Sequence, residues 1–464
     1  MTKKYKWILV IACVISFGAG MFVPQKATST DEQNKFDAIY SILTKKWYYA
    51  NKTKNLDQTL MEQAITGMTT LEKDPHTNYF NLKQSKQFAQ SLDGSSSGLG
   101  FSYYVNGDGN IVIRDVFIDS AADTAGLKQG DIITAVNDQV CAKKGADAVV
   151  KYIKKQSKKV TVKFIRNEKE KTTKIKPKDF DASVTYRVSG NVAIIGISSF
   201  SSHTGSSFEN AVERAHKQGI SSIVLDLRNN GGGYLVAAQE VASILVPAHS
   251  VVFEEKDSQG NITKTRTNDN FKQIKMDKII VLQNEDTASA SEVVIGALKA
   301  GLGDKVTTVG TTTYGKGTEQ TQVSFEDGTS MKYTVAEWLD PNGDSINNKG
   351  WKPDVKVEPL DVTSVNYIEM KKSSTMKEDH VYTNAKALQT YLKYLGYDVD
   401  RTDTYFSHQS AEALKQFQSD YKLDATGICD KDTWDTLLKV ISQQVYANEY
   451  SEDPQYVRAI QLAQ

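Results

Sequence analysis

Cysteine is scarce in this chain. Cys13, Cys141 and Cys429 are the three it has, too few and too scattered for a disulfide framework or a thiolate metal site. The six histidines fall at no ligand spacing, so no metal and no other cofactor is implied. Net charge is missing as well: 56 basic residues balance 56 acidic ones. Phosphate binding needs concentrated Lys and Arg, and no long basic run lies beyond the N-terminus, which argues against a nucleic-acid partner. Long apolar runs are absent too, with one exception at the very start.

That exception is the segment 1–30, MTKKYKWILVIACVISFGAGMFVPQKATST. Lys3, Lys4 and Lys6 precede an apolar run from Trp7 to Val23, at the lower limit for spanning a bilayer and long for a signal-peptide core. An uncleaved single-pass anchor is favoured over a removed signal. The basic flank would stay in the cytoplasm and the rest of the chain would be exported, to the cell-wall side of the cell membrane, or secreted if the segment is cleaved.

The remaining length has room for roughly two to four domains. Residues 31–92 carry helical periodicity in FDAIYSILTKKWYY and LDQTLMEQAITGMTTL, broken by DPHTNYF at Asp74–Phe80. A joint, SLDGSSSG, leads into a β-rich module over 93–178. There GLGFSYYV and NIVIRDVF flank the turn NGDG, a hairpin signal, and two helices and further strands follow. Over 179–365 strands and helices alternate: NVAIIGIS, SSFENAVERAHKQG, SSIVLDL, YLVAAQEVASIL, KIIVLQN, SASEVVIGALKAG, KVTTVG. Alternating βα units predict a mostly parallel sheet with helices on its faces. Ligands sit at the carboxyl ends of such strands. Residues 366–379 are polar and lysine-rich and read as a linker, 380–442 as a small helical domain, and 443–464 as a tail. The fold class is multidomain α/β.

Two turns of the alternating region carry chemistry. In NEDTASASE, Ser289 and Ser291 open an apolar helix; small polar residues there cap orphan N–H groups, and either serine is also a candidate nucleophile. In TTTYGKGTEQ, Lys316 stands between Gly315 and Gly317, where the backbone can approach another element closely. Burial beside apolar groups disfavours an ammonium and makes a neutral amine available to a serine hydroxyl. Gln320, four residues on, can orient that amine. His203, in SFSSHTG, is an alternative base, without an orienting carboxylate at a recognisable position.

DLRNNGGGYL, NEDTASASE and TTTYGKGTEQ occur in this order, with DPHTNYF before and DPNGDSINNKGWKPDVKV after. All five segments resemble those of the carboxyl-terminal processing peptidases, or tail-specific proteases, over roughly Asp31 to Leu360. The resemblance implies a serine endopeptidase with a Ser-Lys dyad. In the family pattern the nucleophile stands three residues before the glutamate, which falls on Ser289; Lys316 would be the general base and Gln320 would position it. The spacing from Ser289 to Lys316 is slightly longer than the family's, and a strict spacing would point to Ser291 instead. The oxyanion donors would be the N–H groups of Ala290 and of Gly232, with Gly231 the adjacent alternative.

GLGF at Gly98–Phe101 resembles the carboxylate-binding loop of PDZ domains. The N–H groups of Leu99, Gly100 and Phe101 would hold the free C-terminus of a protein substrate while its tail adds as a strand. ALQTYLKYLGYDVDRTDTYFSHQSAEALKQFQSDYKLDATGICDKDTWDTL resembles a peptidoglycan-binding domain, departing from it at DTYFS. A homodimer through the helical N-terminal region is expected by analogy with relatives. The reading is therefore a membrane-anchored, extracytoplasmic serine endopeptidase that recognises protein C-termini. The alternatives are an inactive PDZ and cell-wall-binding scaffold, or a hydrolase with His203 as base.

Overall fold

The computed structural model describes residues 31–464; the expected anchor over 1–30 lies outside them. Among the described residues no helix is long and apolar enough to cross a membrane. The architecture is the expected multidomain α/β one. At its centre is a sheet of six strands: β1 (Val184–Ser189), β2 (Val192–Ile197), β3 (Ser222–Asp226), β4 (Lys278–Gln283), β5 (Val306–Gly310) and β6 (Val355–Lys356). They lie side by side in chain order. The first pair is antiparallel and every later pair parallel.

Strands in chain order with right-handed crossovers place all their connecting helices on one face. Those helices are α1 (Thr204–Lys217), α2 (Leu235–Leu245) and α3 (Ala290–Leu302). Their Phe208, Val241 and Val294 pack on Ile195, Ile223 and Val281. Yet VAIIGI and KIIVLQ are apolar on both faces, the mark of strands buried on both sides. The second face, with Ile194, Val224, Ile280, Leu282 and Val309, is covered by the end of the chain.

Helix α4 (Lys431–Glu452) leaves the small C-terminal domain, and α5 (Pro454–Ala463) lays Tyr456, Ala459 and Ala463 on that face. Residues 443–464, read from the sequence as a tail, are thus packed helix. The stop between the helices is local chemistry: Asp453 caps α5 by accepting from the N–H groups of Gln455 and Tyr456 (2.9 and 3.3 Å), and Pro454 occupies the first turn. Arg228 bonds Asp226 (2.7 Å) and Asp453. Arg187 donates to the Tyr456 hydroxyl (2.8 Å) and Lys278 to the Leu462 carbonyl (2.9 Å).

A second sheet is antiparallel and runs Asn78–Phe80, Ser330–Leu339, Val251–Asp257, Ile262–Arg266, with Thr318–Ser324 also on Ser330–Leu339. Through Asn78–Phe80 the N-terminal region joins this second sheet. The helices Asp31–Lys45 and Leu56–Met68 behave differently, leaving Phe36, Ile39, Ile42, Met61 and Met68 exposed.

The β-rich module is closed where Ser95–Gly98 pairs with Lys178–Asp181. Its sheet runs Phe101–Val105, Ile111–Val116, Ile132–Val136, Val160–Arg166, Lys169–Ile175, so Phe101–Val105 is an edge strand. Arg214 of α1 holds the module by Asp123 (2.8 Å) and Asp119 (3.2 Å). The segment expected as a linker, 366–379, is also packed: Met370 and Met376 are buried in the C-terminal domain, because a polar stretch with two methionines still has apolar surface to hide. Farther along, α4 passes the module, with Tyr446 beside Tyr104 (6.0 Å) and the Tyr450 hydroxyl on Asp115 (2.9 Å).

Candidate active site

Three turns meet at the carboxyl ends of β3, β4 and β5. The first two are cross-tied: Asn284 Nδ2 donates to Asn229 Oδ1 (2.9 Å), Thr287 Oγ1 to the Leu227 carbonyl (2.9 Å), and the Ala288 N–H to the Asn230 carbonyl (3.0 Å). On this base Ser289 stands at φ 57°, ψ −118°. A residue with a Cβ holds such a conformation at a cost of about 1–3 kcal/mol. A strained serine between strand and helix is the device by which hydrolases present a nucleophile. Its Oγ is buried and has no hydrogen-bond partner among the described residues. The Ser291 hydroxyl, two residues on, donates to the Asn230 carbonyl (3.0 Å). The two serines therefore differ in kind, one uncommitted and one tied into the turn.

Gly232 lies against Ser289. Its φ is 104°, and a Cβ there would come 2.8 Å from the Ser289 Cβ and 3.1 Å from the Ala290 N, so this approach requires glycine. Its own N–H donates to Asn230 Oδ1 (2.9 Å), inside its turn. Ala290 is the first residue of α3, where an N–H has no partner within the helix.

Lys316 arrives on the third turn. A Cβ on Gly315 would sit 2.7 Å from the Gly350 N, and one on Gly317 2.7 Å from the Asn347 Cβ; the two glycines let the loop press against 347–350. Lys316 is 2% exposed. Its Nζ donates to Gln320 Oε1 (2.7 Å) and to the Thr318 carbonyl (3.3 Å). A β-bulge between Glu319 and Gln320 sets Gln320 opposite Thr334 and so re-aims its side chain.

Glu292 joins the serine turn to the lysine loop. One oxygen, Oε2, accepts the N–H of Ser289 (2.8 Å) and the N–H of Lys316 (2.9 Å). The other, Oε1, accepts from the Gly315 N–H (2.7 Å) and the Thr313 hydroxyl (2.6 Å). Desolvation pushes this buried carboxyl up, against the pull of the same four donors. In the sequence Glu292 is a landmark for register and a normal helix-start residue; nothing local signals a clamp.

The N-terminal region adds Asp74, His76 and Thr77 of DPHT. Asp74 accepts from the hydroxyls of Thr334 (3.0 Å) and Thr77 (2.5 Å). Desolvation, then the nearby Lys316 and Lys332, hold His76 down at about 4, against Asp74. His203 precedes α1, its Nδ1 paired with the neighbouring Ser202 hydroxyl (3.0 Å), and among the described residues no carboxylate is bonded to its ring. The structure thus gathers Ser289, Ala290, Gly232, Lys316 and Gln320.

Leu99, Gly100 and Phe101 lie apart, in the β-rich module. The Leu99 carbonyl accepts from the Ala122 N–H (2.7 Å), and the Gly100 carbonyl from the Phe117 N–H (3.1 Å) and the Ser120 hydroxyl (3.0 Å). Gly100 has φ 88°, and a Cβ there would meet the Ser120 Cβ at 2.2 Å. The edge strand that follows is bridged to the helix Ala146–Lys154 by the Tyr103 hydroxyl on Asp147 (3.0 Å).

Comparison with known proteins agrees with this division. Residues 191–357 match Peptidase family S41, 89–165 a PDZ domain, and 382–437 the "Putative peptidoglycan binding domain". The chain is 35% identical over 451 residues to a "Probable CtpA-like serine protease" of Staphylococcus aureus (strain MRSA252), covering 96% of this chain and 89% of that one. A protein of the same description from Staphylococcus epidermidis is 36% identical over 445 residues, covering 94% and 89%. Among solved structures it is similar to the photosystem II D1 C-terminal processing protease, at 25% identity and a TM-score of 0.39, covering 71% of this chain and 94% of that one. With relatives this similar over nearly its whole length, the chain belongs to peptidase family S41, as a CtpA-like serine protease.

Proposed function

We propose that this serine protease is a membrane-anchored, extracytoplasmic endopeptidase that selects proteins by their C-termini and cleaves them with a Ser-Lys dyad. Ser289 is the nucleophile, Lys316 its general base, and Gln320 the group that orients the amine. The observation that carries the reading is Glu292 Oε2, one oxygen shared by the N–H groups of Ser289 and Lys316. It sets an uncommitted buried hydroxyl and a buried lysine in one site.

The chemistry follows from the atoms present. Lys316 Nζ, once it has shed its own proton, takes the proton of Ser289 Oγ as that oxygen attacks the scissile carbonyl carbon. The oxyanion is met by the Ala290 N–H at the α3 N-terminus, where the helix dipole favours negative charge. The Gly232 N–H joins it on exchanging its bond to Asn230. Losing one such donor costs about 3–4 kcal/mol. Lys316 then returns its proton to the leaving amine, and a water activated by the same amine releases the acyl group.

The other roles rest on the neighbouring modules. The PDZ module has its GLGF loop beside an open-edged strand, which suits a tail that adds as a strand. The peptidoglycan-binding domain fits a protease held at the cell wall, and the segment 1–30 fits an anchor that places both outside the cytoplasm. Exposed Phe36, Ile39 and Ile42 on the first helix suit a homodimer.

The deciding experiment is cleavage of an unstructured protein ending in apolar residues. Ser289→Ala and Lys316→Ala should each lower kcat/KM by about 10³-fold or more, while Ser291→Ala should stay within about tenfold. Substantial turnover by Lys316→Ala removes the dyad. Loss in Ser291→Ala with Ser289→Ala active moves the nucleophile by two residues.

A further inference from the structure

We propose that Thr334, backed by Asp74, is a positioning residue that fixes the orientation of the Gln320 amide and, through it, the lysine amine. The inference rests on Lys316 being the general base. Gln320 is fully buried, and a carboxamide turned by half a revolution fills nearly the same space while exchanging its acceptor for its donors. In one orientation Oε1 receives the lysine; in the other the NH₂ faces it and gives the amine no acceptor. The unprotonated amine that catalysis needs does not itself choose between them strongly, because it can accept as well as donate.

The choice is made on the far side of the amide. Gln320 Nε2 donates to Thr334 Oγ1 (3.1 Å) and to Thr318 Oγ1 (3.0 Å). A threonine hydroxyl can present either its proton or its lone pairs. At Thr334 the proton is committed, since Oγ1 donates to Asp74 Oδ1 (3.0 Å). An ionised carboxylate only accepts. Thr334 is left with lone pairs toward Gln320, which draw Nε2 and leave Oε1 toward Lys316 (2.7 Å). Every donor in the chain points away from the lysine and toward Asp74.

The end of the chain is itself held. Asp74 also accepts from the Thr77 hydroxyl (2.5 Å) and the His76 N–H (3.1 Å), and the Thr77 hydroxyl accepts from the Thr334 N–H (3.2 Å). Desolvation alone would raise the Asp74 carboxyl, but the bonds from Thr77, Thr334 and the His76 N–H outweigh it and hold the group below its ordinary value. The N-terminal region therefore contributes to the site by setting the polarity of a hydrogen-bond chain. This differs from merely holding a strand in place.

The test separates those two roles in the purified full chain, with the same unstructured substrate. Thr334→Val keeps the shape and removes the hydroxyl; Thr334→Ser keeps the hydroxyl. Thr334→Val should lower kcat about 10- to 100-fold, the scale of a displaced catalytic group, with KM within about twofold. Thr334→Ser should stay within about threefold of the parent. In a Gln320→Ala background Thr334→Val should cost nothing further, because the two act as one unit. Thermal melts of each variant confirm folding. A Thr334→Val enzyme with parental kcat overturns the proposal, as does equal damage in Thr334→Ser or losses that multiply in the double variant. If Lys316→Ala retains activity, the failure lies with the dyad instead; if Lys316→Ala is dead and Thr334→Val is not, only the positioning role falls.

Discussion

The two faces of the central sheet are built from the same strands and covered in opposite ways. One face is buried by α1, α2 and α3, each supplied by the chain between two neighbouring strands. The other is buried by α5, which comes after a whole further domain along the chain. The first face is local economy, with short loops closing on adjacent elements. The second joins the protease core to the C-terminal domain, since α4 runs out of the latter and α5 packs in the core of the former. The same contrast recurs in the site. Ser289 and Glu292 come from one βα unit and Lys316 from the loop after the next strand, whereas Asp74 reaches Gln320 by way of Thr334 from the N-terminal region.

If the distant cover is half of the core, removing residues 453–464 should have the largest effect. It would bare Ile194, Val224, Ile280, Leu282 and Val309 together, and the expected outcome is aggregation or loss of a cooperative melt. A soluble truncation with a single sharp transition would break the comparison outright. Point changes grade it more finely. Phe208→Ala on the local face and Tyr456→Ala on the distant one should each cost about 3–5 kcal/mol by denaturant titration. Equal costs would show that the faces differ in origin and not in weight. Asp453→Ala should cost less, about 1–3 kcal/mol, because Arg228 keeps Asp226 and a bond to Gln455 (3.2 Å). It should also lower kcat, since Arg228 leads directly into the Asn229–Gly232 turn that flanks the nucleophile.

The local half of this protein was legible in its residues. Runs such as KIIVLQ followed by a capped apolar helix signal a βα unit without reference to anything distant. Two such units put the turns of Gly232 and Ser289 at one end of the sheet, and the loop after the next strand brings Lys316 to the same end; which residues of those turns to name came from the resemblance to the tail-specific proteases. The distant half was not. Residues 443–464 carry an amphipathic pattern, but periodicity states only that a face must be covered and not by what. The all-apolar strands did contain half of the answer, because helices on one face could not bury both. ITKTR and SMKYTVAEWL alternate weakly and hide the second sheet. Glu292 was visible as a landmark of register and a helix-start residue but not as a clamp, because its other partners, Gly315 and Thr313, sit on a loop that local spacing does not connect to it. The Met370 and Met376 contacts were hidden by the lysines around them.

The smallest predicted effect belongs to the distant segment and is a pH dependence. His76 faces Lys316 and Lys332, with Asp74 beside it, and burial together with the two lysines holds its folded value near 4 against an ordinary value of 6.5. Between those values the unfolded chain carries a proton on this ring that the folded chain refuses. Where the unfolded state binds more protons, stability rises with pH. His76 should therefore erode stability as pH falls from 6.5 toward 4 and contribute no slope above 6.5. Asp74, whose folded value lies below the ordinary 3.8, loses its contribution only at lower pH, so the two groups separate along the axis. Melting temperatures of the parent and of His76→Gln, taken at intervals from pH 7.5 to 4.5, read the difference directly. The expected result is that the two curves run parallel above about 6.5 and converge or cross below it, the variant having the flatter acid side. Parallel curves throughout would mean that the ring is as solvated folded as unfolded, and that the N-terminal segment does not press it into the lysine pocket.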